Sequence, residues 1–442
     1  MLFLTLICKN LNPMNRKTFL KTSALASAGI LSTPFITYGK VSKYRVALIG
    51  CGWWGTNILR EAVASGETEV VALCDVDENQ INTCKQELNT WCADKPKVYK
   101  DFRDCIKNAK PDIVINATPD HWHALIAIEA MNNGSHVFLE KPIAHTLKEG
   151  TAIQKAARDN KRICIVDFHR RYSPHNVSGM EFLKSGKVGQ ITEVRAFVNY
   201  AQGFGAQAPS EPQPAGLDWD MYCGPAKLID YHSSIHPRSW RRQSEFANGT
   251  LGDWGPHWFD QILWWTEEKA PKKIFSVSTK KSRDNIQDVP ENQLVTFEFE
   301  NFICFWEHSI NNMRQQQQGE NVGVYFHGTE GTFHMGWQEG WTFYPKGKNA
   351  SIINQEPQLD LPDKQNIRLV WADLLKSIKT GNLPHADIEH GRQATNMCML
   401  GMLSDKLGRS IEWDQEKDLV VNDVEANTLL MRNYRGEWQY PV

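Results

Sequence analysis

YRVALIGCGWWG, residues 44–55, reads as an apolar strand running straight into a glycine turn. Gly50, Gly52 and Gly55 fall in the GxGxxG spacing, with a helical stretch directly after them. The first glycine allows a tight turn, the second lets backbone approach a pyrophosphate, and the third lets helix pack close on strand. The helix N-terminus then faces the phosphates. The spacing predicts the first strand and phosphate-binding turn of a Rossmann domain holding a nicotinamide dinucleotide, with Trp53 and Trp54 beside the cofactor.

Outward from that turn, strands are predicted at 69–74, 113–116, 136–139 and 162–166, with helices near 56–65, 78–88, 123–132 and 147–159. Alternation of this kind gives a parallel sheet with crossover helices, a doubly wound domain. The second strand ends at Asp75, where a carboxylate can accept from the adenosine ribose hydroxyls and would repel a 2′-phosphate. Asp77 is close by and no Arg or Lys follows until Lys85, so NAD is expected over NADP. After Phe168 longer alternating strands follow, at 191–200, 274–280, 294–299 and 303–308, as in a sheet with one buried face. A helix near 254–266 interrupts them, and one or two helices lie between 368 and 407. The expected fold is α/β: an N-terminal Rossmann domain and a C-terminal α+β domain with a large, mostly antiparallel open sheet. The divisions are a leader at 1–40, the Rossmann domain at 41–166 and a substrate and oligomerisation domain at 167–442. Residues 202–216 and the glutamine run 315–318 read as loops.

A chain of 442 residues with 41% hydrophobic and 23% charged residues has the profile of a globular protein with an ample core. Its net charge of −2 provides no basic field for nucleic acid or anionic lipid, which leaves small-molecule chemistry. Sixteen tryptophans are the one excess. Most suit core packing, and some suit stacking on sugar rings. The ten cysteines show no CxxC pair and no spacing for zinc or a disulfide framework, so no metal is expected. From Met14, MNRKTFLKTSALASAGILSTPF has a basic start, a short apolar run and a proline, which is signal-peptide architecture. NRKTFLK at 15–21 resembles a twin-arginine export signal with Lys17 for the second arginine. A periplasmic or exported protein is expected, or a cytoplasmic one if the signal does not function. No later apolar run approaches a membrane span.

Two further motifs sit at strand ends, where ligands bind in open α/β sheets: NATPDHWH at 116–123 and HVFLEKP at 136–142. With HRRY at 169–172, GDWGPHWFD at 252–260, GTEGTF at 328–333 and GRSIEWD at 408–414, the chain resembles the family of glucose-fructose oxidoreductase, inositol dehydrogenase and rhizopine catabolism proteins, written Gfo/Idh/MocA. The resemblance covers roughly residues 43–415. It implies that Thr118, Pro119, His123, Glu140 and Lys141 line the cofactor site, and that Lys141, Asp253 and His257 are catalytic. His257 would be the acid/base, and Asp253 would orient substrate or imidazole. Arg171 and Tyr172 would stand at the mouth of the substrate pocket, and Trp240 and Arg241 would approach substrate from the HPRSWRR loop. Oligomers are usual in the family, so a homodimer or homotetramer is expected.

Residue chemistry agrees. Oxidising a secondary alcohol requires a base beside the cofactor and donors for the developing oxyanion, and Lys141 can serve as either. Asp253 and His257, four apart, share one helix face, and Pro256 suits an early helical position if Asp253 begins the helix. Asp260 is a second partner of the site or an ordinary polar helix residue. The expected activity is hydride transfer from a ring hydroxyl of a sugar or glycoside, carbon 3 foremost, to tightly held NAD. The alternatives are a redox-neutral NAD-dependent glycoside hydrolase and a non-catalytic NAD- or sugar-binding protein.

Overall fold

The computed structural model describes residues 43–199, 210–237, 239–279, 288–310 and 320–441. The leader, the glutamine run and residues 202–209 of the predicted loop lie outside them. Six strands, β1 (Tyr44–Ile49), β2 (Thr68–Cys74), β3 (Lys97–Tyr99), β4 (Ile113–Asn116), β5 (His136–Leu139) and β6 (Cys164–Val166), form one sheet in the order β3-β2-β1-β4-β5-β6. Every pair is parallel. Helices cover both faces of such a sheet, which is why β4 is buried at each position and reads as an unbroken apolar run. Strand order reverses between β1 and β4, so their C-terminal ends open a crevice. β3 and the Phe102–Ala109 helix were not predicted: KVY is three residues long and mostly exposed, with no period to detect.

The second sheet holds β7 (Ile191–Val198), β8 (Lys273–Thr279), β9 (Asn292–Glu298), β10 (Ile303–Ser309), β11 (Val322–Gly328), β12 (Gly331–Gly336), β13 (Trp341–Pro345), β14 (Ile353–Gln355), β15 (Ile411–Asp414) and β16 (Leu419–Val420). Their order is β14-β13-β12-β11-β7-β10-β9-β8-β15-β16. Neighbours run antiparallel except β7 with β10. Alternation along β8 buries Ile274 and Ser276 and exposes Phe275 and Val277. Helices Gly249–Thr266 and Ile388–Leu407 lie against the buried face. Phe259 packs on Phe297 of β9 at 5.0 Å, and Ser404 Oγ accepts from the Ser276 amide.

The first of these helices begins earlier than predicted. It starts at Gly249, so Pro256 is its eighth residue and lies inside it, not at its start. Gly249 and Gly252 hid the opening turn from a propensity reading.

Arg171 and Tyr172 do not reach a substrate pocket. Both follow β6 in a tight 3₁₀ turn that drives their side chains inward. Arg171 Nε donates to both carboxylate oxygens of Asp260 at 2.8 Å, with both residues buried. Tyr172 OH donates to Asp373 at 2.8 Å and accepts from the Ala386 amide. They pin the end of the first sheet to helices of the second, and Asp260 is the partner of Arg171. Arg171→Ala leaves a buried carboxylate unpaired and is expected to cost about 3–5 kcal/mol of stability. Denaturant unfolding would check this, and an unchanged midpoint would refute it.

Candidate functional site

The three glycines take separate roles. Gly50 has φ of +93°, and a Cβ there would lie 2.5 Å from the Ala117 carbonyl oxygen, so the ends of β1 and β4 meet only because it has none. A Cβ on Gly55 would lie 2.1 Å from the Gly50 oxygen, which fixes helix against turn. A Cβ on Gly52 would meet nothing within 4 Å. Gly52 also N-caps the Trp53–Ala64 helix without a side-chain cap, and no acidic residue stands in the first turn. Open space over uncapped N–H groups fits a pyrophosphate.

A cleft of about 240 Å³ runs along this edge past Gly52, Trp53, Asp75, Thr118 and Pro119. Asp75 accepts from the amides of Cys51, at 2.7 Å, and Asp77, at 2.9 Å, so the glycine turn itself orients the carboxylate. Lys100 also lines the cleft, though its ammonium is paired with Glu78 at 2.8 Å. Predicted His123 does not present a nitrogen to the cleft. Its ring nitrogens lie 2.7 Å from the Pro142 carbonyl and 2.9 Å from that of Thr118, so it supports the cleft wall from behind. Burial lowers its pKa to about 4.

The opposite wall was not foreseen as one. Residues 210–237 and 239–247 pass the turn after β2, where the Asp218 amide donates to Val76 O and the Glu78 amide to Gly216 O. His236 Nε2 lies 2.8 Å from Asp77 Oδ2. Met221, Tyr222, His236 and Trp240 face the cleft from this segment. A second small core holds it together, in which Trp219 stacks on Tyr222 at 4.7 Å.

Next to Trp240, Arg241 turns to the reacting side. Its Nε donates to Asp253 Oδ1 at 2.9 Å, and Lys141 Nζ donates to the same oxygen and to the Asp253 carbonyl, both at 2.9 Å. Burial pushes the Asp253 carboxyl up, but the Arg241 and Lys141 charges outweigh it and hold the group at about 2. One helical turn on, His257 packs among Trp337 at 4.9 Å, His169 at 5.2 Å and Trp254 at 6.0 Å. Its buried Nδ1 has no hydrogen-bond partner among the described residues. Burial, followed by the Lys141 charge, pushes its pKa well below the usual histidine value, so the imidazole is neutral.

Behind Lys141, Trp54 and Glu140 bond to each other. Trp54 Nε1 donates to Glu140 Oε1 at 2.5 Å and lies 3.2 Å from Asp167 Oδ2, while Glu140 Oε2 accepts from the Lys141 amide. Burial and the neighbouring Glu140 push the Asp167 carboxyl well above the usual carboxylate range. Asp167 and Trp337 were missed. Asp167 had a signal, a charge closing the apolar run ICIV, whereas Trp337 lies far from the motifs in sequence. Two other histidines are engaged in packing: His121 bonds the Tyr222 carbonyl at 2.9 Å and His308 accepts from Trp306 Nε1 at 3.0 Å. His169 instead faces His257.

A parallel sheet of order 3-2-1-4-5-6 with this glycine turn defines a dinucleotide-binding oxidoreductase, and comparison with known proteins agrees. Residues 44–168 match the oxidoreductase family, NAD-binding Rossmann fold, and residues 190–440 match the oxidoreductase family, C-terminal alpha/beta domain. The chain belongs to the Gfo/Idh/MocA oxidoreductase family. It is 27% identical over 202 residues to a glycosyl hydrolase family 109 protein of Shewanella pealeana, covering 40% of this chain and 44% of that one. The chain thus spans under half the length of the curated relatives it matches. Its fold is similar to levoglucosan dehydrogenase in complex with NADH and levoglucosan, with a TM-score of 0.65, 19% identity, and 84% and 100% of the two chains covered. It is equally similar to aldose-aldose oxidoreductase from Caulobacter crescentus complexed with glycerol, with a TM-score of 0.65, 18% identity, and 84% and 100% covered.

Gly52→Ala is expected to fold normally and to bind NADH at least about tenfold more weakly, because the methyl fills the pyrophosphate approach. Gly55→Ala should instead cost about 1–3 kcal/mol of stability through overpacking. Calorimetry and NADH titration separate the two, and reversed effects would refute the assignment. Burial and the Lys141 charge are expected to keep His257 neutral well below the pH at which an ordinary histidine takes up its proton. Lys141→Met removes a cation that disfavours protonation, so the midpoint should move up, which NMR of labelled histidine would detect.

Proposed function

We propose that this chain oxidises a ring secondary hydroxyl of a sugar or glycoside, with carbon 3 the expected position, by hydride transfer to NAD. One arrangement carries the proposal: a neutral, buried His257 beside an anchored Lys141, next to the dinucleotide cleft. When bound, the nicotinamide supplies the hydride acceptor. His257 is a base that can take the hydroxyl proton without first losing one of its own. Two of the three Lys141 donors go to Asp253, which leaves the third for the substrate oxygen as negative charge develops there. Trp254 and Trp337, 4.8 Å apart, offer flat apolar faces next to His257 on which a sugar ring can stack.

A second reading is redox-neutral glycoside hydrolysis, favoured by the likeness to glycosyl hydrolase family 109 proteins. In that sequence the sugar is oxidised transiently, the acidified neighbouring carbon loses its proton, the aglycone is eliminated, water adds and the ketone is reduced. The leader supports export with the cofactor already bound, a route that requires tight retention. Exposed Phe275, Val277, Leu294 and Ile303 on the outer face of the second sheet support pairing with another copy.

Product analysis distinguishes the two chemistries. A keto sugar with NADH formed at one equivalent supports dehydrogenation, and an unoxidised sugar with no net NADH supports hydrolysis. Lys141→Ala and His257→Ala should each lower kcat/KM at least about 10²-fold. Wild-type turnover in both variants would overturn the assignment.

A further inference from the structure

We propose that residues 429–441 act as a clasp that fastens the 210–247 segment over the dinucleotide cleft, with Arg435 and Trp438 as the positioning residues that set how slowly the cofactor leaves. Arg435 reaches the Trp219–Cys223 helix and the turn after it through every donor group it has. Its amide donates to Pro225 O at 3.0 Å and its Nε to Gly224 O and Ala226 O, both at 3.1 Å. Nη1 donates to Asp220 Oδ1 at 2.8 Å and Nη2 to Asp220 O at 2.9 Å. Arg432 grips the other end of the segment, donating to Glu245 O at 2.9 Å.

Trp438 works on the adjoining wall. It packs edge-on against Trp122 at 4.9 Å and stacks on Phe102 at 6.2 Å, and both rings line the cleft. Trp122 Nε1 donates to Tyr222 O at 3.0 Å, which couples that wall to the covering segment. The contact is close: a Cβ on Gly224, whose φ is +48°, would lie 2.0 Å from the Trp122 ring. Arg103 lies over the outer face of Trp438 at 4.6 Å. Met221 and Tyr222, which face the cleft, lie between the residues that Arg435 holds, with Asp220 before them and Gly224, Pro225 and Ala226 after them. Charge-assisted bonds to carbonyls in a half-buried site are among the stronger ones available to a surface segment.

The clasp rests on the cleft being the NAD site, and the experiment separates the two ideas. The full-length protein is loaded with NADH, and its release is followed by tryptophan-to-NADH energy transfer after a chase with excess NAD. Arg435→Ala and Trp438→Ala should release NADH faster by on the order of tenfold, and Asp220→Ala by a smaller factor. Tyr440→Phe, which loses only the bond of the same tail to Thr146, and Arg158→Ala, which breaks the bridge to Asp387, should release it at the wild-type rate. The clasp is overturned if the first two variants retain NADH like wild type, or if the last two lose it equally fast. Should Arg435→Ala fail to fold, Asp220→Ala and Trp438→Phe carry the same test. Wild-type protein that binds no NADH refutes the dinucleotide site itself.

Discussion

A single carboxylate gathers the site. Asp253 accepts from Lys141 at the end of β5 and from Arg241 in the covering segment, which joins three stretches of chain that no local propensity would bring together. Without Asp253, the ammonium of the mostly buried Lys141 and the half-exposed guanidinium of Arg241 would be left as neighbouring like charges with no counter-ion between them. The same cations act one helical turn away. Burial pushes the pKa of His257 well below the usual histidine value, and the charges of both cations push it the same way.

The glycine turn is tied to that arrangement by a second network. Trp54, the residue before Gly55, bonds Glu140, and Glu140 accepts from the amide of Lys141. The uncapped helix N-terminus and the lysine are therefore parts of one hydrogen-bonded unit. A shift of the phosphate-binding turn would displace the ammonium with it, which couples the position of a bound dinucleotide to the position of the group next to the substrate.

How much of this could be read from sequence depended on how local each feature was. The glycine turn and Asp75 were legible because each is a short string whose chemistry follows from its neighbours, whereas Lys141 and the Asp253/His257 pair were singled out through the family resemblance. Arg171 and Tyr172 were misplaced for a related reason: adjacency to a motif does not reveal which way a 3₁₀ turn points its side chains, and here it points them into Asp260 and Asp373. His123 was expected at the cofactor site through the family resemblance, yet two carbonyls claim it. The covering segment was out of reach. Its residues follow neither helix nor strand period, and its partners lie far off in sequence: Val76 on one side, Arg435 on the other.

The acidic groups around Lys141 show environment overriding residue type. Asp253 and Asp167 are both aspartates in the same part of the molecule, yet two cations hold one at about 2 while burial and Glu140 push the other well above the carboxylate range. Separating like groups in this way is how a protein assigns acid and base roles at one pH. Asp253 is committed as the counter-ion of Lys141 and Arg241, and Asp167 is shifted away from the ionised form that accepting a proton from an incoming hydroxyl requires. His257, whose buried Nδ1 has no hydrogen-bond partner among the described residues, is the group to which the proposed reaction assigns that proton.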